Sequence, residues 1–375
     1  MNEDKATRYH RLKRRIAVVS LVWSAALLAG LIWSGWTLTL RDTAEAAAAR
    51  LGPQGWFAPL SVLIYVLLLS VLNEVVSVPI AFYSGWMLEQ RYGLSTERLR
   101  AWLLDQAKAF GVGVVLATGG ASVIYWLIRA APDRWWLPAA VVFALMIVVL
   151  ANLAPVLVLP LFYRFEPLER EALRARLLAL AERAGARVLG AYEWGLADKT
   201  RKANAALTGI GSTRRILVSD TMLAEYSDEE IEVVLAHELA HYVHGDIWKG
   251  IAFESALILA GFYLAARALG AWAAPLGLRG VADVAGLPLL LIAAGAVTLA
   301  ALPVAHAMSR AYERRADRFA LEITRNPGAF VSAMRRLGAQ NLAEDHPSKI
   351  VQWLFYSHPP IRERIEAAQA FAGGR

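Results

Sequence analysis

The stretch VAGLPLLLIAAGAVTLAALPVAHAMSRAYERRAD, residues 284–317, decides the architecture. From Val284 to Ser309 it contains no Asp, Glu, Lys or Arg. That run exceeds the roughly 20 residues that a helix rising 1.5 Å per residue needs to cross about 30 Å of hydrocarbon. At Arg310 the pattern turns abruptly polar, so a membrane span delivers Ser309-Arg310-Ala311-Tyr312-Glu313-Arg314-Arg315-Ala316-Asp317 to a water interface. Three more runs are charge-free, Ile16–Leu40, Ala109–Ile128 and Trp135–Tyr163. Leu51–Leu88 is broken only by Glu74, and Gly250–Ala266, broken by Glu254, continues past Arg267 to about Trp272. The pattern predicts a mainly α fold, a polytopic transmembrane helix bundle of about six spans.

Composition agrees. The 375-residue chain is 57% hydrophobic and 19% charged, against about 45–50% and about 25% in soluble domains, which excludes an ordinary soluble globule. The net charge of +7 comes with no basic stripe interleaved with aromatics, so nucleic acid is not an expected partner. A chain with no cysteine has no disulfide framework, thiolate metal site or thiol nucleophile. Any metal must rest on His, Asp or Glu.

Basic residues near span ends resist translocation and set orientation. Lys5, Arg8, Arg11, Lys13, Arg14 and Arg15 precede the first span and place the N-terminus in the cytoplasm. Four crossings then return the chain to that face at Arg164, and two more return it near Arg310. The small-residue tract Ala46–Ala49 gives the N-terminal region a signal-peptide look, but its apolar run exceeds the usual 7–15 residues or so and reads as an uncleaved anchor. Asn73, Glu74, Asn152 and Glu254 at membrane depth should face the bundle interior or a wet cavity.

Between the spans the periodicity changes. Pro167–Ala186 carries Leu173, Leu177, Leu178 and Leu180 among charges, an amphipathic helix pattern. Arg187–Trp194, Asn204–Thr208 and Arg214–Ser219 read as short strands, implying a small β-sheet. Ser227 before Asp228, Glu229 and Glu230 is an N-cap with an acidic first turn.

The helix begun there contains His237-Glu238-Leu239-Ala240-His241, an H-E-x-x-H pattern. Residues four apart share a helix face, so both imidazoles can reach one Zn²⁺ at about 2.0–2.1 Å. Glu238 then lies beside the open position, placed to take a proton from water and pass it to a leaving amine. A catalytic zinc needs a third protein ligand. Glu313 is the best candidate, because the topology brings it to the side of His237. Asp317, on the same helical face, can accept a hydrogen bond from a ligand imidazole and fix its tautomer. His244 and His306 read as structural.

Taken with Ser357-His358-Pro359-Pro360 and Arg364-Ile365, the H-E-L-A-H and S-R-x-x-E-x-x-A-D segments resemble the integral-membrane zinc metalloproteases typified by the CAAX prenyl protease type I. Pro79, Tyr83, Glu89-x-x-x-Gly93-Leu94, Pro160-Leu161-Phe162, Phe165-x-Pro167-Leu168, Asn204-Ala205 and Ile216-Leu217-Val218-x-Asp220-Thr221 extend the likeness, in order, over most of the chain from Glu74. The resemblance implies one Zn²⁺ on His237, His241 and Glu313, with Glu238 as general base and Asp317 as a supporting or proton-donating residue. It also implies that His358 and Arg364 lie at the active site, and that Asn204 begins an edge strand along which substrate lies. Ala206 stands where an aromatic is expected after Asn-Ala, which bears on substrate preference.

The resulting expectation divides the chain into four regions. Residues 1–163 form an N-terminal transmembrane region of four spans and 164–249 a cytoplasmic catalytic segment. Residues 250–309 form two further spans and 310–375 a cytoplasmic C-terminal catalytic segment. The implied function is hydrolysis of peptide bonds in membrane-associated or prenylated substrates, with a peptide or protein substrate and the lipid bilayer as partners. Two alternatives stay open, a broader quality-control metalloprotease of the heat-shock type and a non-catalytic zinc-containing scaffold or transporter. Ala/Arg-rich usage and a C-terminus without a lysine-based retrieval signal point to a bacterial inner membrane, with the active site facing the cytoplasm.

Overall fold

The computed structural model describes residues 4–52, 56–209 and 211–374. Residues 53–55 of the expected span Leu51–Leu88, and Arg375, lie outside the described residues. The first helix, α1 (Lys5–Trp33), ends where Gly35 takes a left-handed φ of 74° and the chain restarts as α2 (Trp36–Leu51). The apolar run Ile16–Leu40 is therefore not one span, and this expectation is corrected. A residue without a Cβ takes that backbone conformation at little cost, and hydropathy does not register it. The helix also starts earlier, so the six basic residues occupy its first turns. The first two turns of α2 are tied down by a buried ion pair, Arg41 Nη1 to Asp283 Oδ2 at 2.6 Å, and by Thr37 Oγ1 donating to the Ala285 carbonyl at 2.7 Å.

Helix α3 (Phe57–Ala81) contains Pro79 and passes through a π-helical turn, Phe82–Met87, into α4 (Leu88–Tyr92). Next come α5 (Leu99–Ala130) and α6 (Trp136–Leu153). Six helices among the described residues are long and apolar enough to span: Lys5–Trp33, Phe57–Tyr92, Leu99–Ala130, Trp136–Leu161, Asp246–Trp272 and Val284–Thr324. Their mutual core is apolar, with Tyr65, Tyr125, Ile128 and Trp135 wholly enclosed.

The polar region opens with β1 (Phe165–Pro167) and α7 (Glu171–Arg183), then β2 (Ala191–Trp194), β3 (Ala205–Thr208) and β4 (Arg215–Ser219). The sheet order is β1-β2-β4-β3, with β2 and β4 parallel and both outer pairs antiparallel. Strand β3 thus has a partner on one side only. Helices α8 (Asp220–Glu225), α9 (Asp228–Val243) and α10 (Asp246–Trp272) follow, then α11 (Leu287–Thr324), α12 (Pro327–Gln340), α13 (Lys349–Phe355) and α14 (Ile361–Ala372). Leu173, Leu177 and Leu180 of α7 pack with Ile216 and Val218 of β4, Ile231, Leu235 and Leu239 of α9, and Phe330 of α12. This core fixes α9 against the sheet, while α11, at 38 residues, is long enough to leave the bundle and join it.

Candidate metal centre

Ser227 caps α9 in both directions, its Oγ accepting from the Glu230 N–H at 3.3 Å while its own N–H donates to Glu230 Oε2 at 2.8 Å. Three turns later His237 and His241 emerge on one face, their rings 5.1 Å apart and nearly perpendicular. The polar half of α11 brings Glu313 against them. His237 Nε2 lies 3.1 Å from Glu313 Oε2, and His241 Nε2 lies 3.5 Å from Glu313 Oε1. His358, in the turn before α14, places its own Nε2 3.3 Å from Glu313 Oε1.

The far side of each imidazole is also engaged. His237 Nδ1 is 2.8 Å from Asp317 Oδ1, and Asp317 takes two bonds from Arg364, at 2.5 and 2.8 Å. His241 Nδ1 is 3.1 Å from Asp246 Oδ2. With a metal on the two Nε2 atoms, each Nδ1 would carry the proton and donate to its carboxylate, and Arg364 Nη2 also lies 3.2 Å from His237 Nδ1. Burial favours a neutral His237, but hydrogen bonds with Asp317 and then Glu313 outweigh it and its pKa is pushed up to about 9. The pocket is built to hold positive charge.

A metal ion fits these residues. One donor atom from each of His237, His241 and Glu313 lies within 4.8 Å of the others, and two imidazoles with one carboxylate are a donor set that suits Zn²⁺. Glu238, Asn204, His358 and Arg364 line the same cavity of about 160 Å³, with Ala205 of β3 at its wall. Burial raises the pKa of Glu238. Six of the eight sequence-nominated residues, His237, Glu238, Glu313, Asn204, His358 and Arg364, line this cavity, while His241 meets it through Glu313 and Asp317 stands behind His237 and Arg364. Asn204 lines it from the chain entering β3, where its backbone pairs with Ser219. His244 instead packs edge-on against Phe319, outside the cluster.

Sequence reasoning missed Asp246. It sits at the first position of α10, after a left-handed Gly245, and is 7% exposed. The readable signal was an acidic residue five positions beyond His241, just past a glycine that ends a helix.

Comparison with known proteins accords with this geometry. The sequence model of peptidase family M48 matches residues 167–372, and that of the CAAX prenyl protease N-terminal region, described as five membrane helices, matches residues 2–164. The matched N-terminal region here has four helices long enough to span, plus the shorter α2. The chain is 31% identical to the uncharacterized metalloprotease YhfN of Bacillus subtilis, over 97% of this chain and 84% of that protein. It is 25% identical to CAAX prenyl protease 1 of Saccharomyces cerevisiae, over 80% of this chain and 70% of that one. The crystal structure of Ste24p from S. mikatae superposes with a TM-score of 0.84 at 22% identity, covering 97% of this chain and 87% of that one. That match shares the whole architecture, bundle and sheet together. The reading as a non-catalytic scaffold or transporter is set aside, and the chain belongs to peptidase family M48 as a multi-pass membrane metalloendopeptidase.

Proposed function

We propose that this protein is a zinc endopeptidase cleaving membrane-associated substrates, lipidated ones included, at the cytoplasmic face of a bacterial inner membrane. The observation that carries the reading is the convergence of His237 and His241 Nε2 on Glu313, with both Nδ1 atoms held by carboxylates. His237, His241 and Glu313 would hold Zn²⁺, which supplies Lewis-acid chemistry, activating water and polarising the scissile carbonyl. Glu238 takes the proton of the attacking water and returns it to the departing amine. Its burial-raised pKa suits a group that must both accept and release a proton. His358, exposed beside Glu313 with Ser357 Oγ 2.8 Å from its Nδ1, donates to the oxyanion that develops on the carbonyl. Asp317 already accepts from His237 and Arg364, so it orients rather than protonates. A peptide extends along the open edge of β3 from Asn204, its main chain held by ladder hydrogen bonds.

The name of the yeast relative, CAAX prenyl protease 1, makes prenylated CAAX substrates a specific form of this activity. A second form, membrane-protein quality control without a lipid requirement, is favoured by Ala206 on β3, which leaves a small side chain where the resemblance expects an aromatic. Cleavage of a farnesylated CAAX peptide against a non-prenylated membrane protein separates the two. The chemistry itself is tested by purified Glu238→Gln, for which turnover should fall by about 10²-fold or more with zinc retained. Unchanged turnover would sink the mechanism.

A further inference from the structure

The first turns of α1 bind residues that lead into both walls of the metal centre, Lys202 beside Ala203 on one side and Tyr356 two residues before His358 on the other. Two adjacent helical stripes, each an i,i+4 pair, do different things. Tyr9 and Lys13 converge on Glu89 at the end of the second spanning helix, at 2.5 and 3.0 Å, and Lys202 binds the other carboxylate oxygen at 2.8 Å. Lys202 leads directly into Ala203, whose N–H and C=O pair with the amide of Asn341 at 3.2 and 3.3 Å, and then into Asn204 and β3. This stripe anchors the substrate edge.

The neighbouring stripe reaches the opposite wall. His10 Nε2 lies 2.8 Å from the Leu342 carbonyl, and Leu342 is held at a left-handed φ of 52°. Arg14 Nη1 donates to Glu344 Oε2 at 2.5 Å and to the Tyr356 hydroxyl at 3.0 Å, and Tyr356 also binds Glu344. Tyr356 stands two residues before His358. Its carbonyl, with that of Gln352, is held from the other side by Arg310, one turn before Glu313 on α11, at 2.6 and 2.9 Å.

Between the stripes, Tyr9, Leu88, Tyr92 and Leu94 form a small buried cluster backed by Leu12, Ile16 and Leu342, separate from the two main cores. Glu89 and Glu344 are 9% and 5% exposed. Enclosing carboxylates costs desolvation that ion pairing often only offsets, so such clusters are weak sources of stability and strong definers of geometry. The apolar window of α1 beyond them is only 6% buried.

We propose that the first turns of α1 are a positioning latch with two arms. Tyr9 and Lys13 act through Glu89 and Lys202 to set the β3 edge, and Arg14 acts through Glu344 and Tyr356 to set His358. The inference rests on the proposed roles of β3 and His358, and it separates kinetically. A peptide-binding edge contributes equally to ground and transition states and governs KM, whereas an oxyanion donor acts in the transition state and governs kcat.

The test uses the full-length, zinc-loaded protein in nanodiscs and an internally quenched peptide selected from a random library for cleavage by the wild type. Arg14→Gln should lower kcat about tenfold or more with KM within about twofold, and Tyr356→Phe, which removes only a hydroxyl, should lower it less in the same direction. Lys202→Gln should raise KM several-fold with kcat nearly unchanged. In a His358→Ala background, Arg14→Gln should have no further effect. Zinc content and elution volume, measured alongside, report misfolding, and kcat is taken per zinc-loaded chain. Equal changes in kcat and KM on both arms overturn the latch, as does the full Arg14 effect persisting without His358. Loss of activity in His358→Ala with Arg14→Gln silent overturns the latch and leaves the role of His358 standing. Full activity in His358→Ala overturns both.

Discussion

Replacing Asp317 and Asp246 by Asn should weaken zinc binding unequally, and the structure gives the order. Asp317 holds a deeply buried imidazole, with the side chain of His237 8% exposed against 28% for His241. It is also the counter-ion of Arg364, itself 9% exposed as a side chain. Asn at 317 removes the charge that fixes the His237 tautomer, worth about 10–100-fold in metal affinity. It also strands a buried guanidinium, a change costing about 3–5 kcal/mol when one partner of such a pair is lost. Asp246 differs. Its other partners, Lys249 and Arg315, have side chains 45% and 37% exposed, so water screens them and their loss should cost about 1 kcal/mol or less. Asp246→Asn should therefore lower zinc affinity about tenfold and leave the metal-free fold almost unchanged. Asp317→Asn should lower affinity toward 100-fold and also depress the unfolding temperature of the metal-free protein. Competitive chelator titration reads the first quantity and thermal unfolding of the apo forms the second. Equal affinity losses, or a metal-free Asp317→Asn that unfolds at the wild-type temperature, would refute the assignment of these carboxylates.

Chelation should abolish peptidase activity and Zn²⁺ should restore it. Free zinc at about 100 times its Kd should stabilise the fold by about 2.7 kcal/mol, read as a rise in unfolding temperature. Asp283→Ala breaks the buried pair that fastens α2 to the start of α11 but leaves Arg41 its second partner Asp42 at 2.9 Å, and should lower stability in detergent unfolding assays by less than the about 3–5 kcal/mol of a fully stranded charge. Ser227→Ala removes the α9 cap and should cost about 1 kcal/mol, with kcat per zinc-loaded chain unchanged. A large kcat loss there would mean that the cap positions the histidines instead of merely supporting their helix.

The metal-centre residues were legible because helical periodicity puts His237 and His241 on one face and span topology brings Glu313 to them. Strand β4 was legible from Ile216 and Val218, and β2 and β3 from short runs of apolar and aromatic residues around them. Strand β1 was not, because three residues ending in Pro167 carry no alternation and exist by pairing with β2. The break at Gly35 and the π-helical turn at Phe82–Met87 leave hydropathy untouched, so the apolar signal ran through them. The α1 contacts to Glu89 and Glu344 are side-chain meetings across 80 and 330 residues, which no local pattern encodes.

Helix α1 is held at two points, by its stripes of Tyr9, His10, Lys13 and Arg14 at one end and by the Gly35 turn into α2 at the other. The stretch between, from Arg15 to Trp33, rises about 28 Å at 1.5 Å per residue, close to the roughly 30 Å of a hydrocarbon core, and little of it is buried within the protein. A strut pinned at both ends cannot slide to absorb a thicker or thinner bilayer, so it must tilt. On the latch proposed above, such a tilt would load the Arg14–Tyr356 contact, and the thickness of the host membrane would become a mechanical input to the catalytic cleft.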